Sequence, residues 1–147
     1  EGAALVEIYQ NCNIFNDGAW EPLKDGDTRD DMMMRLVDGE PIRFGKDMEK
    51  CVIRSADGQI SVALVADVND ADIIRHDAHA KDPGLAFALS RLSNPRTLEN
   101  TPIGVFRDID RASYDRLLRE QLDDVIETKG AGDLQSLLKG NDTWTVS

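Results

Sequence analysis

The 147-residue chain sets 17 Lys and Arg against 28 Asp and Glu, a net charge of -11. Phosphate binding needs clustered cations, so this balance argues against a nucleic-acid partner. The apolar fraction of 41% suits a globular chain with a real core, and no window approaches the ~18 apolar residues of a membrane helix. Two cysteines, Cys12 and Cys51, lie far apart and suggest no disulfide framework, so a cytoplasmic setting is expected.

In chain order, Leu5 to Tyr9 reads as a buried strand, an almost unbroken apolar run. From Asn11 to Asp31 the chain turns polar, with Pro22 and the acidic cluster Asp25, Asp27, Asp30 and Asp31, and is expected to be a surface loop with one helical turn. Composition changes there, which places a boundary near Asp30. Two hairpins come next. Met32–Val37 and Glu40–Phe44 flank Asp38-Gly39, and Lys50–Ser55 and Gln59–Leu64 flank Asp57-Gly58. Asp-Gly between β-rich runs is a strong hairpin signal, because both turn residues must take positive φ. Pro41 cannot donate to a ladder, which assigns its strand to an edge.

Asp70 to Asp77 fits a short strand or a helical turn equally well. Asp82-Pro83 then reads as an N-cap followed by proline at the first helical position, opening a helix that stops near Ser93-Asn94-Pro95. Pro102–Arg107 reads as a strand or extended packing segment. The longest helix is predicted from about Ser113 to Thr128, with Tyr114, Leu117, Leu118, Leu122, Val125 and Ile126 at three- and four-residue steps. Gly130 supplies its C-cap, and Asp133 caps a last short helix ending at Gly140. The tail Thr143–Val146 is apolar and β-prone, and is expected to dock.

Few residues suggest chemistry. Cys12 sits where a predicted strand meets a polar loop, and its bland reading is a small buried hydrophobe. Asn11, Asn16 and Asp17 flank it. Asn16 and Asp17 read as turn residues that bond their own backbone, whereas Asn11 is left open. His76 and His79 stand in a His-x-x-His spacing, a weak metal signal. Bonds to backbone or a place at a subunit contact are the favoured reading. Cys51 reads as core, and Met32–Met34 as an edge strand or interface. No catalytic triad and no Gly-rich phosphate cradle is visible.

The run Val6-Glu-Ile-Tyr-Gln-Asn-Cys-Asn-Ile-Phe-Asn-Asp-Gly18 resembles the β subunit of 2-oxoacid:ferredoxin oxidoreductases, most closely the 2-oxoglutarate type. Pro41-Ile-Arg-Phe-Gly45, His76-Asp-Ala-His79, Asp82-Pro-Gly-Leu-Ala-Phe87, Thr101-Pro-Ile-Gly-Val-Phe106 and Asp142-Thr-Trp-Thr-Val146 extend the resemblance, in order, over nearly the whole chain. That family's β subunit is longer, and its front half carries a Gly-Asp-Gly run and an Asn for thiamine diphosphate and Mg2+. No such motif occurs here, so the chain reads as the C-terminal part of a larger subunit.

The resemblance implies an α/β fold: residues 1–30 as the last strand and cluster-ligand loop of a thiamine diphosphate domain, then 31–147 as an α+β region with two hairpins and two to three helices. It implies Cys12 as the fourth ligand of a [4Fe-4S] cluster, with Asn11 near that cluster, and three thiolates outside this chain. It implies oxidative decarboxylation of 2-oxoglutarate with coenzyme A and ferredoxin, an α subunit and a second αβ copy as partners, and an inactive isolated fragment. The rival reading is a subunit-assembly module without a catalytic role. A third is a small independent binding domain, folded as a monomer with no exposed apolar patch.

Overall fold

The computed structural model describes residues 2–141 together with Trp144 and Val146. The chain divides into two compact units, Val6–Ile109 and the pairing of Glu1–Leu5 with Asp110–Ser147.

In the Val6–Ile109 unit the polar excursion forms two single-turn helices, α1 (Glu21–Lys24) and α2 (Arg29–Met32). Pro22 lies in the first turn of α1, where a missing N–H costs nothing. Next come β1 (Met33–Leu36), β2 (Arg43–Phe44), β3 (Lys50–Arg54) and β4 (Ile60–Leu64). After two 3-10 turns, Val65–Asp67 and Asp70–Asp72, the unit closes with helix α3 (Gly84–Leu89) and strand β5 (Thr101–Gly104).

The second predicted hairpin is present. β3 and β4 pair antiparallel from Lys50↔Leu64 to Arg54↔Ile60, joined across Asp57-Gly58. The first is not. A tight turn forms at Asp38-Gly39, closed by Glu40 N–H on the Val37 carbonyl, but the strands beyond it part. β1 pairs parallel with β5, and β2 pairs antiparallel with β3. The turn is claimed by a distant segment: Asp38 Oδ1 accepts from Ala78 N–H at 2.8 Å, and Gly39 N–H donates to the His76 carbonyl at 2.8 Å. Pro41, without a donor, meets Arg75 only in an isolated bridge.

The ambiguous stretch becomes the 3-10 turn at Asp70–Asp72, then extended chain through Ile73–Arg75. There three segments close on one another: Val52 N–H to Ile42 O, Ile42 N–H to Ile74 O, and Ile74 N–H to Val52 O, at 3.1, 2.9 and 2.9 Å. This ring satisfies buried backbone where no regular ladder runs. The core lies against it, built from Met34, Leu36, Ile42, Phe44, Val52 and Leu89, with Ile60, Val62, Leu85 and Phe106 packed around. Cys51 and Val52 are both fully buried, so β3 is covered on both faces, and Cys51 is core as expected. The α3 helix opens one residue later than predicted, with Asp82 Oδ1 accepting from Gly84 N–H. It ends at Leu89, where Ser90 Oγ bonds back to the Phe87 carbonyl.

Gly104 is required by a close approach. Its φ is +118°, and a Cβ there would lie 2.8 Å from the Leu36 carbonyl oxygen across the β1–β5 pair. Only glycine accepts both conditions.

The other unit contains α4 (Tyr114–Lys129) and α5 (Leu134–Lys139). Both match the sequence reading, caps included. Gly130 and Gly140 end them at positive φ, and Asp133 accepts from Gln135 N–H at 3.0 Å. Neither helix buries a residue. Of the tail, Asp142, Thr143, Thr145 and Ser147 lie outside the described residues, and Trp144 and Val146 are exposed.

Candidate functional site

The expected buried strand at Leu5–Tyr9 is corrected by the structure. The segment is extended but unpaired, and Leu5, Val6 and Ile8 are 91%, 75% and 77% exposed. A strand buries its faces only inside a sheet, and no described residue offers it a neighbouring edge. The loop beyond it, by contrast, is ordered by its own bonds.

That loop, Gln10–Trp20, is stapled at its base. Tyr9 and Trp20 stack with ring centroids 4.5 Å apart and planes 11° off parallel, and Trp20 Nε1 donates to the Gln10 carbonyl at 3.0 Å. Burial, with Glu7 nearby, pushes the Tyr9 hydroxyl above its ordinary pKa. Asn11 braces the interior. Its Oδ1 accepts from Gly18 N–H at 2.9 Å, and its Nδ2 donates to Asp17 Oδ1 at 2.8 Å and Asn13 Oδ1 at 3.0 Å. Asn16 N–H closes a tight turn on the Cys12 carbonyl at 2.9 Å. Asn11 therefore shapes the loop, as do Asp17 and Asn16.

The loop displays a thiol. Cys12 is exposed, which overturns its reading as a buried small hydrophobe. The backbone N–H groups of Phe15, Ile14 and Asn16 act on its sulfur and hold its pKa below the ordinary cysteine value. Amides gathered on one sulfur favour the thiolate, the form that binds metal and attacks electrophiles. Hydrogen bonds to sulfur also tune iron–sulfur centres. Ile14 and Phe15, 83% and 88% exposed, form an apolar tip beside the thiol.

A [4Fe-4S] cluster takes four thiolates, and the fit is partial. The Cys12 loop suits one corner of such a group. The second thiol, Cys51, is fully buried on β3 with Sγ on the Ala63 carbonyl, and burial pushes its pKa up. Among the described residues no group of three or more His, Cys, Asp or Glu side chains could hold a metal ion. The chain alone does not complete a cluster.

The histidine pair does not converge on a ligand. His76 is 2% exposed and donates Nε2–H to the Val105 carbonyl at 2.7 Å. His79 is exposed, and its Nδ1 meets the Asp108 carbonyl at 2.6 Å with Asp38 3.7 Å from Nε2. That carbonyl, then Asp38, raises the His79 pKa. With Asp108 N–H on the Ala78 carbonyl, these bonds tie the Asp38-Gly39 turn to the irregular segment after β5. Sequence reasoning foresaw the backbone partners. It missed the Tyr9–Trp20 staple and the amides over Cys12, although an aromatic at each end of a polar loop was a signal for the staple.

Comparison with known proteins gives the class first: the chain is similar to an oxidoreductase subunit. It is 48% identical over 151 aligned residues to 2-oxoglutarate oxidoreductase subunit KorB of Mycobacterium tuberculosis, covering 99% of this chain. The resemblance read from the sequence therefore holds. The chain spans 39% of the length of that relative. No protein-family model matches the chain, and no solved structure matches it. No helix among the described residues is long and apolar enough to cross a membrane.

Proposed function

We propose that this chain is the C-terminal part of the β subunit of a 2-oxoglutarate:ferredoxin oxidoreductase. The observation that carries the proposal is the 48% identity to KorB along 99% of the chain. In the whole enzyme 2-oxoglutarate and coenzyme A become succinyl-CoA and CO2, and the electrons leave one at a time to ferredoxin. Thiamine diphosphate with Mg2+ supplies the carbanion chemistry when bound. No residue of this chain is assigned to that cofactor. Residues 1–30 close the thiamine diphosphate domain, and 31–147 form the region after it.

Within that scheme Cys12 is the fourth thiolate of a [4Fe-4S] cluster. Its exposure, its lowered pKa and the apolar tip at Ile14 and Phe15 support the role. Asn11 holds the loop that presents it. The other three thiolates, the α subunit and a second αβ copy lie outside this chain, so the isolated chain is inactive. The exposed extended segment at Leu5–Ile8 supports the same reading, since it has the composition of a sheet strand and no sheet.

A second reading, a non-catalytic assembly module, is favoured by the exposed apolar side chains of α4 and α5. Activity of the assembled enzyme separates the substrate classes. Dye reduction that requires coenzyme A and 2-oxoglutarate, yielding succinyl-CoA, is the expected result. Preference for another 2-oxoacid, or no oxidation of any, would overturn the assignment.

A further inference from the structure

The peptide that leads into Cys12 is bonded to the folded unit at one point. Among the described residues, residues 2–10 make a single hydrogen bond, from Trp20 Nε1–H to the Gln10 carbonyl at 3.0 Å. They enter no strand pair, and Leu5, Val6 and Ile8 are largely exposed. The Tyr9 ring lies flat on the Trp20 ring. The bond and the stack thus run to the same residue.

Trp20 is itself held. It is half-buried and stands at the N-cap of α1, where Leu23 N–H donates to its carbonyl at 3.0 Å and the Leu23 side chain is buried. Glu21 N–H reaches back to the Gly18 carbonyl at 3.1 Å, so backbone bonds fix the exit of the loop. No backbone bond fixes its entry. A compact surface loop needs its ends close together, and here Trp20 joins them. Asn11 braces the interior, but its partners Asn13, Asp17 and Gly18 all lie within the loop. Cys12 follows the anchored Gln10 by two positions, a reach of about 7 Å at most, so the staple governs where the thiol stands. The amides of Ile14, Phe15 and Asn16 act on that sulfur. Sulfur and amides keep their spacing while entry and exit are held together.

On the reading that Cys12 ligates a [4Fe-4S] cluster, we propose that Trp20 is a positioning residue for its thiolate. By stacking on Tyr9 and bonding the Gln10 carbonyl, Trp20 holds the sulfur against the loop amides and so sets the reduction potential of the centre Cys12 ligates. Hydrogen bonds to a ligating sulfur favour the more negatively charged, reduced form. Loosened amides stabilise that form less, and the potential falls.

Two measurements test Trp20, one on the 147-residue chain and one on the assembled enzyme. In the chain, amide hydrogen exchange by NMR compares the parent with Trp20→Ala and Trp20→Phe. Loss of the stack and the bond in Trp20→Ala should speed exchange at Asn16 and Gly18, whose N–H groups bond within the loop, by about tenfold. The Ile42 and Ile74 amides of the core ring should keep their parent rates, which shows that the unit stays folded. Trp20→Phe keeps a ring for Tyr9 but cannot bond Gln10, so its effect should be smaller.

In the enzyme assembled from the full subunit and its partner, potentiometry followed by electron paramagnetic resonance reads the centre itself. Iron content should match the parent in both variants. The one-electron reduction equilibrium of Trp20→Ala should fall by about threefold, a shift of roughly 28 mV to more negative potential, and Trp20→Phe should move the same way by less. Parent exchange rates at Asn16 and Gly18 in Trp20→Ala overturn the proposal, as does a potential unmoved in both variants. If Trp20→Ala assembles without its full iron, Trp20→Phe decides, and the parent's potential there overturns the proposal. The cluster role fails separately. An unaltered spectrum in Cys12→Ser removes the cluster from this loop, whereas a lost spectrum there with unmoved Trp20 variants refutes the positioning alone.

Discussion

Replacing Gly104 by alanine tests the junction of β1 and β5, the parallel pair at the heart of the Val6–Ile109 unit. Two costs add. At φ +118° an L side chain sits outside its allowed regions, a penalty on the order of 1–3 kcal/mol. The new Cβ also meets the Leu36 carbonyl oxygen at 2.8 Å, a backbone atom that moves only if β1 leaves β5. Overpacking of this kind typically costs about 1–3 kcal/mol. Together they remove roughly 2–6 kcal/mol from a unit whose total stability should be about 5–15 kcal/mol. For a unit near 100 residues that is a fall in Tm of at least about 8 °C. Gly58→Ala is the control: φ is +85° there and no atom lies within 4 Å of the added Cβ, so only the conformational cost of about 1–2 kcal/mol applies. Thermal unfolding followed by far-ultraviolet circular dichroism measures both. If Gly104→Ala melts within 2 °C or so of the parent, or no lower than Gly58→Ala, the close approach of β5 to β1 is wrong.

Other outcomes rest on the same geometry. Cys12 should be alkylated by iodoacetamide in the folded chain and Cys51 only on unfolding, with the Cys12 rate rising at lower pH than for an unstructured cysteine, since its thiol is held down. Mass spectrometry of the labelled peptides reads this, and equal labelling of both thiols would contradict it. Asn11→Ala should move that rate profile toward the ordinary thiol value by freeing the loop, and an unchanged profile would remove Asn11 from the account. By proton NMR, His79 should titrate above 6.5. Its folded-state pKa is raised, so its contribution to stability is full below the unfolded pKa and is lost as pH rises through the folded value. His79→Gln should abolish that slope. Leu89→Ala should cost about 2–5 kcal/mol, because Leu89 is fully buried in the core, and denaturant titration measures it.

What the sequence disclosed depended on how local each determinant was. Helices α4 and α5 were readable because their periodicity, their glycine stops and the Asp133 cap lie within a few residues of one another. The β3–β4 hairpin was readable for the same reason. Asp38-Gly39 carries the same dipeptide and does form a turn, but Asp38 and Gly39 bond to Ala78 and His76 some forty positions on, and the flanking strands take other partners. No local pattern reports such a competition. Leu5–Tyr9 shows the converse: its composition is that of a sheet strand, yet composition cannot supply the neighbouring edges a strand needs. At the site, the residue that matters was visible as a cysteine at a loop mouth. Its exposure and the amides of Ile14, Phe15 and Asn16 arise from a fold of the backbone that side-chain identities do not encode directly.

The role of Cys12 is open to a decisive spectroscopic test. In the full subunit assembled with its partner, iron and acid-labile sulfide are measured alongside the low-temperature electron paramagnetic resonance of the dithionite-reduced protein, for the parent, Cys12→Ser and Cys51→Ser. The account predicts an iron–sulfur signal in the parent that survives Cys51→Ser and is lost or replaced by a different signal in Cys12→Ser. A Cys12→Ser enzyme with the parent's iron content and unaltered spectrum would contradict it.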